Sequence, residues 1–184
     1  MGQRDTLLAA ARRLSGTDEQ ILQQTDVFYS VARGRLKLRV FGCGDDAGSK
    51  RSNGNDSVAG ELIWYDRPDT KESKTSTYKR VPLPDPTAFE QAMEAGEVLT
   101  TIGRVVKRRL LFLVEQSRIH VDTVEGLGDF IEIEVVLRSD QSTEQGQQIA
   151  QDLMSKLDIR RHELVDVAYV DLLRAKRNDL TMST

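Results

Sequence analysis

Three acidic residues, Asp122, Glu132 and Glu134, and four basic ones, Lys37, Arg39, Lys107 and Arg109, stand at alternating positions in strand-like stretches. Alternation at period two puts residues i and i+2 on one face of a strand. In Arg35-Leu36-Lys37-Leu38-Arg39-Val40 it separates three cations from three aliphatics. Between Phe130 and Leu137 it places Glu132 and Glu134 opposite Ile131, Ile133, Val135 and Leu137, with Phe130 and Val136 beside the acids. Across the turn at Gly126-Leu127-Gly128, a strand from Arg118 to Glu125 puts His120, Asp122 and Val124 on a common face. A hairpin there brings Asp122 toward the two glutamates. Clustered carboxylates hold Mg2+ or Mn2+, and clustered Lys and Arg suit the phosphate oxygens that such a cation bridges. The competing reading is that the two sets simply pair with each other. Buried pairs give little net stability, so a lumen full of them is better explained by a ligand.

Other chemistries find little support. No His/Cys cluster has zinc spacing, and no Gly-x-Ser-x-Gly nucleophile motif occurs. Gly44, Gly48, Ser49 and Lys50 lack the spacing of a phosphate-binding GxxxxGK[ST] loop. Lys107-Arg108-Arg109 is too short, and too broken by the alternation, for a nucleic-acid patch. His120 reads as a supporting neighbour of the acids, and His162 as part of a surface turn.

The elements that must position these residues can be read in order. Arg4 to Leu14 has the apolar face of a helix, Leu7, Leu8, Ala11 and Leu14, with Asp5 able to cap it. Strands follow around Thr25–Val31, Arg35–Val40, Glu61–Tyr65 and Thr75–Leu83, with a polar hairpin loop over 42–60 between the second and third. Asp85 and Pro86 open a second helix that Gly96 can end. Thr101–Glu115 is a long strand with Lys107 and Arg109 on one face and Val106, Arg108, Leu110 and Phe112 on the other. After the hairpin, Ser142 and Gln145 form a capping box before a helix through Leu157. A last amphipathic helix, Val167–Ala175, carries Tyr169, Leu172 and Leu173, and 177–184 is expected to fray. The total, about seven strands with hairpin connections, predicts an antiparallel α+β sheet or barrel. Closed into a barrel, it would point Arg35, Lys37, Arg39, Lys107 and Arg109 against Asp122, Glu132 and Glu134.

Bulk properties fit one domain of 184 residues, taken as 1–176. A net charge of −3 with 30% charged residues points to neither nucleic acid nor membrane as partner. The single cysteine, Cys43, excludes an intramolecular disulfide. With no long apolar stretch and no leader pattern, a soluble cytoplasmic protein is expected, and the sequon at Asn55-Asp56-Ser57 reads as chance.

The sequence resembles the CYTH domains, the family of class IV adenylate cyclases and thiamine triphosphatases, also called triphosphate tunnel metalloenzymes. The resemblance rests on GRLKLR at Gly34–Arg39, ELIWYDRPD at Glu61–Asp69, VVKRRLLFLV at Val105–Val114 and HVDTVEGLGDFIEIEVVL at His120–Leu137. It implies an eight-stranded antiparallel tunnel that binds a triphosphate and a divalent metal, Mg2+ or Mn2+. Lys37, Arg39, Lys107 and Arg109 then match the family's phosphate-binding pairs, with Arg67 as a substitute for a lysine the family carries on its fourth strand. Asp122, Glu132 and Glu134 match the metal side, and Glu132, Glu134 and Lys107 the catalytic residues. On the fifth strand the inward residue is one of Tyr78, Lys79 and Arg80. The family's opening Glu-x-Glu-x-Lys strand has no counterpart, so seven strands rather than eight are expected, and activity is expected to be impaired. The implied function is metal-dependent hydrolysis of tripolyphosphate, thiamine triphosphate or a nucleotide. Adenylate cyclase-like chemistry on ATP, or phosphate and nucleotide binding without turnover, are the alternatives.

Overall fold

One strand, β5 (Thr101–Val114), lies at the middle of the functional half of the sheet. Its run of valines and leucines between basic residues favours extended backbone with both faces covered. In this computed structural model, which describes residues 3–42, 60–66 and 76–182, β5 pairs antiparallel with β1 (Gln20–Tyr29) and β6 (Ser117–Val124). Beyond β1 lie β2 (Arg35–Phe41), β3 (Gly60–Asp66) and β4 (Thr77–Leu83); beyond β6 lies β7 (Gly128–Val135). All pairings are antiparallel, and the order is β4-β3-β2-β1-β5-β6-β7. Among the described residues, seven strands and four α-helices form the expected α+β fold. Closure into a barrel is not detected among the described residues: β4 and β7 are the two outer strands of the sheet.

One face of this sheet lines a groove, and the other carries the main core. On the core face, Leu110 and Phe112 of β5 and Ile119 and Val121 of β6 pack with Leu8 and Ala11 of helix α1 (Gln3–Ser15) and with Leu157. Ile131 and Ile133 join this cluster from β7, the aliphatic side of the Glu132/Glu134 strand. A second cluster joins Val27, Tyr29 and Leu38 to Phe89 of α2 (Pro86–Ala95). The third lies on the groove face itself: Phe28, Val105 and Val124 are covered by Ala168 and Val170. Val170 belongs to α4 (Tyr169–Met182), so this helix fills one end of the groove. Gly103 allows the close approach, because a Cβ there would stand 2.5 Å from Val170 Cγ2.

Local signals account for most element ends. The Asp85 side chain accepts the Ala88 N–H at 2.8 Å, with Pro86 at the first turn of α2. Ser142 and Gln145 make the reciprocal capping box of α3 (Thr143–Lys156). Some ends differ from the sequence reading. Asp5 lies inside α1, where it faces the positive end of the helix dipole without being the cap. Gly96 closes α2 through its N–H to Ala92, but the left-handed backbone falls at Glu97, at φ 48°. β1 begins at Gln20 because Gln20 to Gln24 pair with Leu111 to Lys107 of β5. The last helix runs on to Met182, past Lys176, where fraying is expected. Cys43, Gly44, Lys50, Asn55 and Arg67 lie outside the described residues, as does most of the 42–60 loop.

Candidate functional site

The groove face gathers the alternating charges side by side. Antiparallel register sets Asp26 of β1 directly between Arg39 of β2 and Val105 of β5, and sets Arg109 of β5 beside Asp122 of β6. Lys37, Arg39, Lys107 and Arg109 all line the groove, with Glu132 and Glu134 along β7. The sequence reading set basic residues across a lumen from acidic ones. In the structure Lys107 and Arg109 neighbour the acids along one sheet, because β5, β6 and β7 are consecutive, while Lys37 and Arg39 stand on β2, beyond β1.

Four cations form the floor. Lys37 donates to Asp26 Oδ2 at 2.9 Å, and Arg39 grips the same carboxylate with Nε at 2.7 Å and a terminal nitrogen at 2.8 Å. Lys107 Nζ lies 3.5 Å from Asp26 and 3.7 Å from Asp122. Arg109 holds both oxygens of Asp122 and also reaches Glu132 at 3.0 Å. Lys107 is 4% exposed and Arg109 6%, while Asp26 and Asp122 are closed off from solvent. Arg35 lies further toward α4 and donates to Asp171 at 3.0 Å.

Aromatic rings surround the ammonium groups. Lys37 Nζ lies 5.6 Å from the Phe28 ring centroid and 5.8 Å from that of Tyr65, and Lys107 Nζ lies 5.5 Å from that of Tyr169. Such faces attract cations. Tyr169 also donates its hydroxyl to Asp122 at 3.3 Å and packs against Phe130, centroids 4.9 Å apart.

Electrostatics follow from burial and crowding. Burial pushes the Lys37 ammonium down to about 7; Asp26 opposes this, while Arg39 and Lys107 add to it. Burial also lowers Lys107, with Arg109 and Arg39 adding and Asp26 and Asp122 opposing. For Asp26 burial pushes the carboxyl up, but Lys37, Arg39 and Lys107 together hold it well below the usual range. Burial likewise opposes ionisation of Glu132, and the His120 hydrogen bond and Arg109 overcome it, leaving a carboxylate well below its usual range. Burial and the nearby Asp122 and Glu132 charges raise the Tyr169 hydroxyl, so it stays a donor.

The acidic side is less free than its composition suggests. Asp122 has both oxygens on Arg109. Glu132 is shared between Arg109 and His120 Nδ1, the latter at 3.4 Å, and Glu134 pairs with Arg118 at 3.2 Å. Among the described residues no three His, Cys, Asp or Glu side chains converge as a metal site. The expected set of Asp122, Glu132 and Glu134 is therefore not assembled, because the register gives Asp122 to Arg109. Glu132 and Glu134 remain two carboxylates on one face, with side chains 44% and 34% exposed to the groove. Mg2+ bound alongside substrate phosphates needs only one or two carboxylates, and this pair fits that limited role.

Several groups here were not singled out by sequence. Asp26 is the main one: an acid among Val27, Phe28 and Tyr29, in a strand where Asp is disfavoured, is itself a signal. Gln24, 4% exposed on the same groove-lining face, has an Oε1 with no hydrogen-bond partner among the described residues. Tyr169 was read only as a helix core residue. On β4, Tyr78 and Arg80 line the groove, and Lys79 pairs beside Trp64 on the other face.

The structure thus presents an antiparallel sheet whose groove has a basic floor braced by carboxylates. The sequence profile described as CYTH domain matches residues 2–169, and the chain belongs to that family. Among solved structures it is similar to the PH1012 protein from Pyrococcus horikoshii OT3, with a TM-score of 0.68 and 20% identity, covering 90% of this chain and 92% of that one. A second protein of that organism, PH1819, gives 0.61 and 19%, covering 94% of each chain. A proposed adenylate cyclase from Vibrio parahaemolyticus gives 0.63 and 16%, covering 92% of this chain and 91% of that one. At these identities the likeness establishes the fold. No curated protein matches the sequence. At the level of the family, membership implies triphosphate-tunnel phosphohydrolase or adenylate cyclase-like activity, with triphosphate substrates and divalent cations. Among the described residues no helix is long and apolar enough to cross a membrane.

Proposed function

We propose that this chain binds a triphosphate in the groove and hydrolyses it. One observation carries the reading: the groove floor gathers Lys37, Arg39, Lys107 and Arg109 around the carboxylates of Asp26, Asp122 and Glu132. Four basic side chains against three carboxylates at low dielectric leave positive charge that a polyphosphate neutralises. Gln24, whose Oε1 has no hydrogen-bond partner among the described residues, can donate to a phosphate oxygen when its amide turns to present Nε2.

In this reading Lys37, Arg39 and Arg109 clamp the phosphate chain, and Lys107 offsets the negative charge that develops as a phosphoryl group leaves. Glu132, ionised because Arg109 and His120 hold it so, and Glu134 present oxygens to the open side of the groove. A divalent cation held there when bound would neutralise phosphate charge and polarise the reacting phosphorus. Arg67 is proposed as a further phosphate contact from its place in the sequence alone.

A second reading, binding without turnover, is favoured by one feature: each of the two groove carboxylates is already engaged by an arginine. The test is phosphate release from tripolyphosphate, thiamine triphosphate and ATP with Mg2+ or Mn2+, run beside triphosphate-dependent thermal shift. Release supports hydrolysis, and a shift without release supports the binder. A cyclic product from ATP supports the cyclase, and neither shift nor product overturns all three.

A further inference from the structure

At the centre of the basic floor lies a carboxylate to which the reading above gives no role. Asp26 is 1% exposed and is held by Lys37, Arg39 and Lys107. Two of these cations stand on β2 and the third on β5, the strands flanking β1. Asp26 therefore ties together two basic walls across β1, whose other groove-lining residues include Leu22, Gln24 and Phe28. Burying a carboxylate in such a strand is costly unless its charge is met, and here three partners meet it.

We propose that Asp26 is a positioning residue of the polyanion site: it fixes the spacing of Lys37, Arg39 and Lys107 and keeps Lys37 cationic, without itself contacting the ligand. The proposal rests on the triphosphate reading for its consequence, though not for its geometry. Facing Asp26 are Lys37 and Arg39 from β2 and Lys107 from β5. Behind Lys107 stand Arg109, Asp122 and Glu132, with the Tyr169 ring of α4 over its ammonium; Phe28 and Tyr65 border Lys37. Of these, Asp26 is the acid in hydrogen-bond contact with Lys37. Burial already brings Lys37 to about 7, so removing its counter-charge moves deprotonation to lower pH. A glutamate keeps the charge but adds a methylene, and three cations packed around a closed site have no matching slack.

Asp26→Asn and Asp26→Glu separate charge from position. Lys37 is first titrated by side-chain NMR in the ligand-free wild type and Asp26→Asn proteins, and the midpoint is expected to fall in the variant. Tripolyphosphate affinity is then measured by calorimetry at pH 6 and 8.5. Asp26→Asn is expected to bind within about 3-fold of wild type at pH 6 but at least about 10-fold more weakly at pH 8.5. Asp26→Glu is expected to bind about 10-fold more weakly at both pH values. An equal loss for Asp26→Asn at both pH values, an unmoved Lys37 midpoint, or wild-type affinity in Asp26→Glu overturns the proposal. If Asp26→Asn does not fold, Asp26→Glu decides. If wild type binds no tripolyphosphate, the triphosphate reading falls, and the ligand-free titration still decides the role of Asp26.

Discussion

Arg109 holds Asp122 through a two-pronged contact, Nε to Oδ1 at 2.7 Å and a terminal nitrogen to Oδ2 at 2.6 Å. With Asp122 fully buried, this pair braces β5 against β6. Arg109→Lys keeps the charge but loses the fork, and lysine reaches one oxygen at best. A loss of about 1–3 kcal/mol in urea unfolding is expected. Unchanged stability would show that the bidentate geometry contributes nothing.

Glu132 connects the acidic edge to the floor through Arg109 and His120. Glu132→Gln preserves size and removes the charge. Phosphate release should fall roughly 100-fold or more, with tripolyphosphate-induced thermal shift retained. A rate near that of wild type would remove Glu132 from the catalytic set.

Lys37 gives stability a pH signature. Its pKa is about 7 folded against 10.5 for the ordinary side chain. Between these values the unfolded chain binds the proton that the folded one has released, so unfolding takes up a proton and stability rises with pH. The penalty is fully present below about pH 7 and fades toward pH 10.5. Lys37→Met lacks it, so wild type should gain stability relative to this variant between pH 7 and 9.5 in paired urea melts. Parallel pH profiles would contradict the buried-ammonium description.

The α4 contact is testable from β5. Gly103→Ala places a methyl 2.5 Å from Val170 Cγ2 and should cost about 1–3 kcal/mol by displacing α4. Val170→Ala in the same chain should recover part of that loss, since the two sites share one contact. Failure of the second change to rescue the first, in thermal unfolding, would place the strain elsewhere.

The alternations of β2, β5 and β7 were legible because period-two patterning reports a face without needing a partner strand. The caps at Asp85 and Ser142 were legible for the same reason, being local. Strand order was not local. Nothing in Arg109 or Asp122 alone says they stand opposite each other in one ladder, and that adjacency pairs an expected metal-side acid with an arginine. Asp26 was passed over because it lacks an alternating acidic neighbour. Its meaning comes from Lys37 and Lys107, distant in sequence and joined only by the pairing of β2, β1 and β5. Tyr169 was read by helical periodicity as core, and its hydroxyl reaches Asp122 only because α4 folds over the groove face.

The layout of β5 gives the groove a direction. Gly103 and Val105 lie under α4 at its closed end, Lys107 and Arg109 occupy the middle, and Leu111 and Leu113 line the far end, where Leu113 is 46% exposed. Along β5 the groove-facing side chains therefore change from small and apolar, to basic, to aliphatic. A one-residue slip of the strand would turn every one of these side chains to the opposite face. The order of surfaces along the groove is thus written into the register of a single strand.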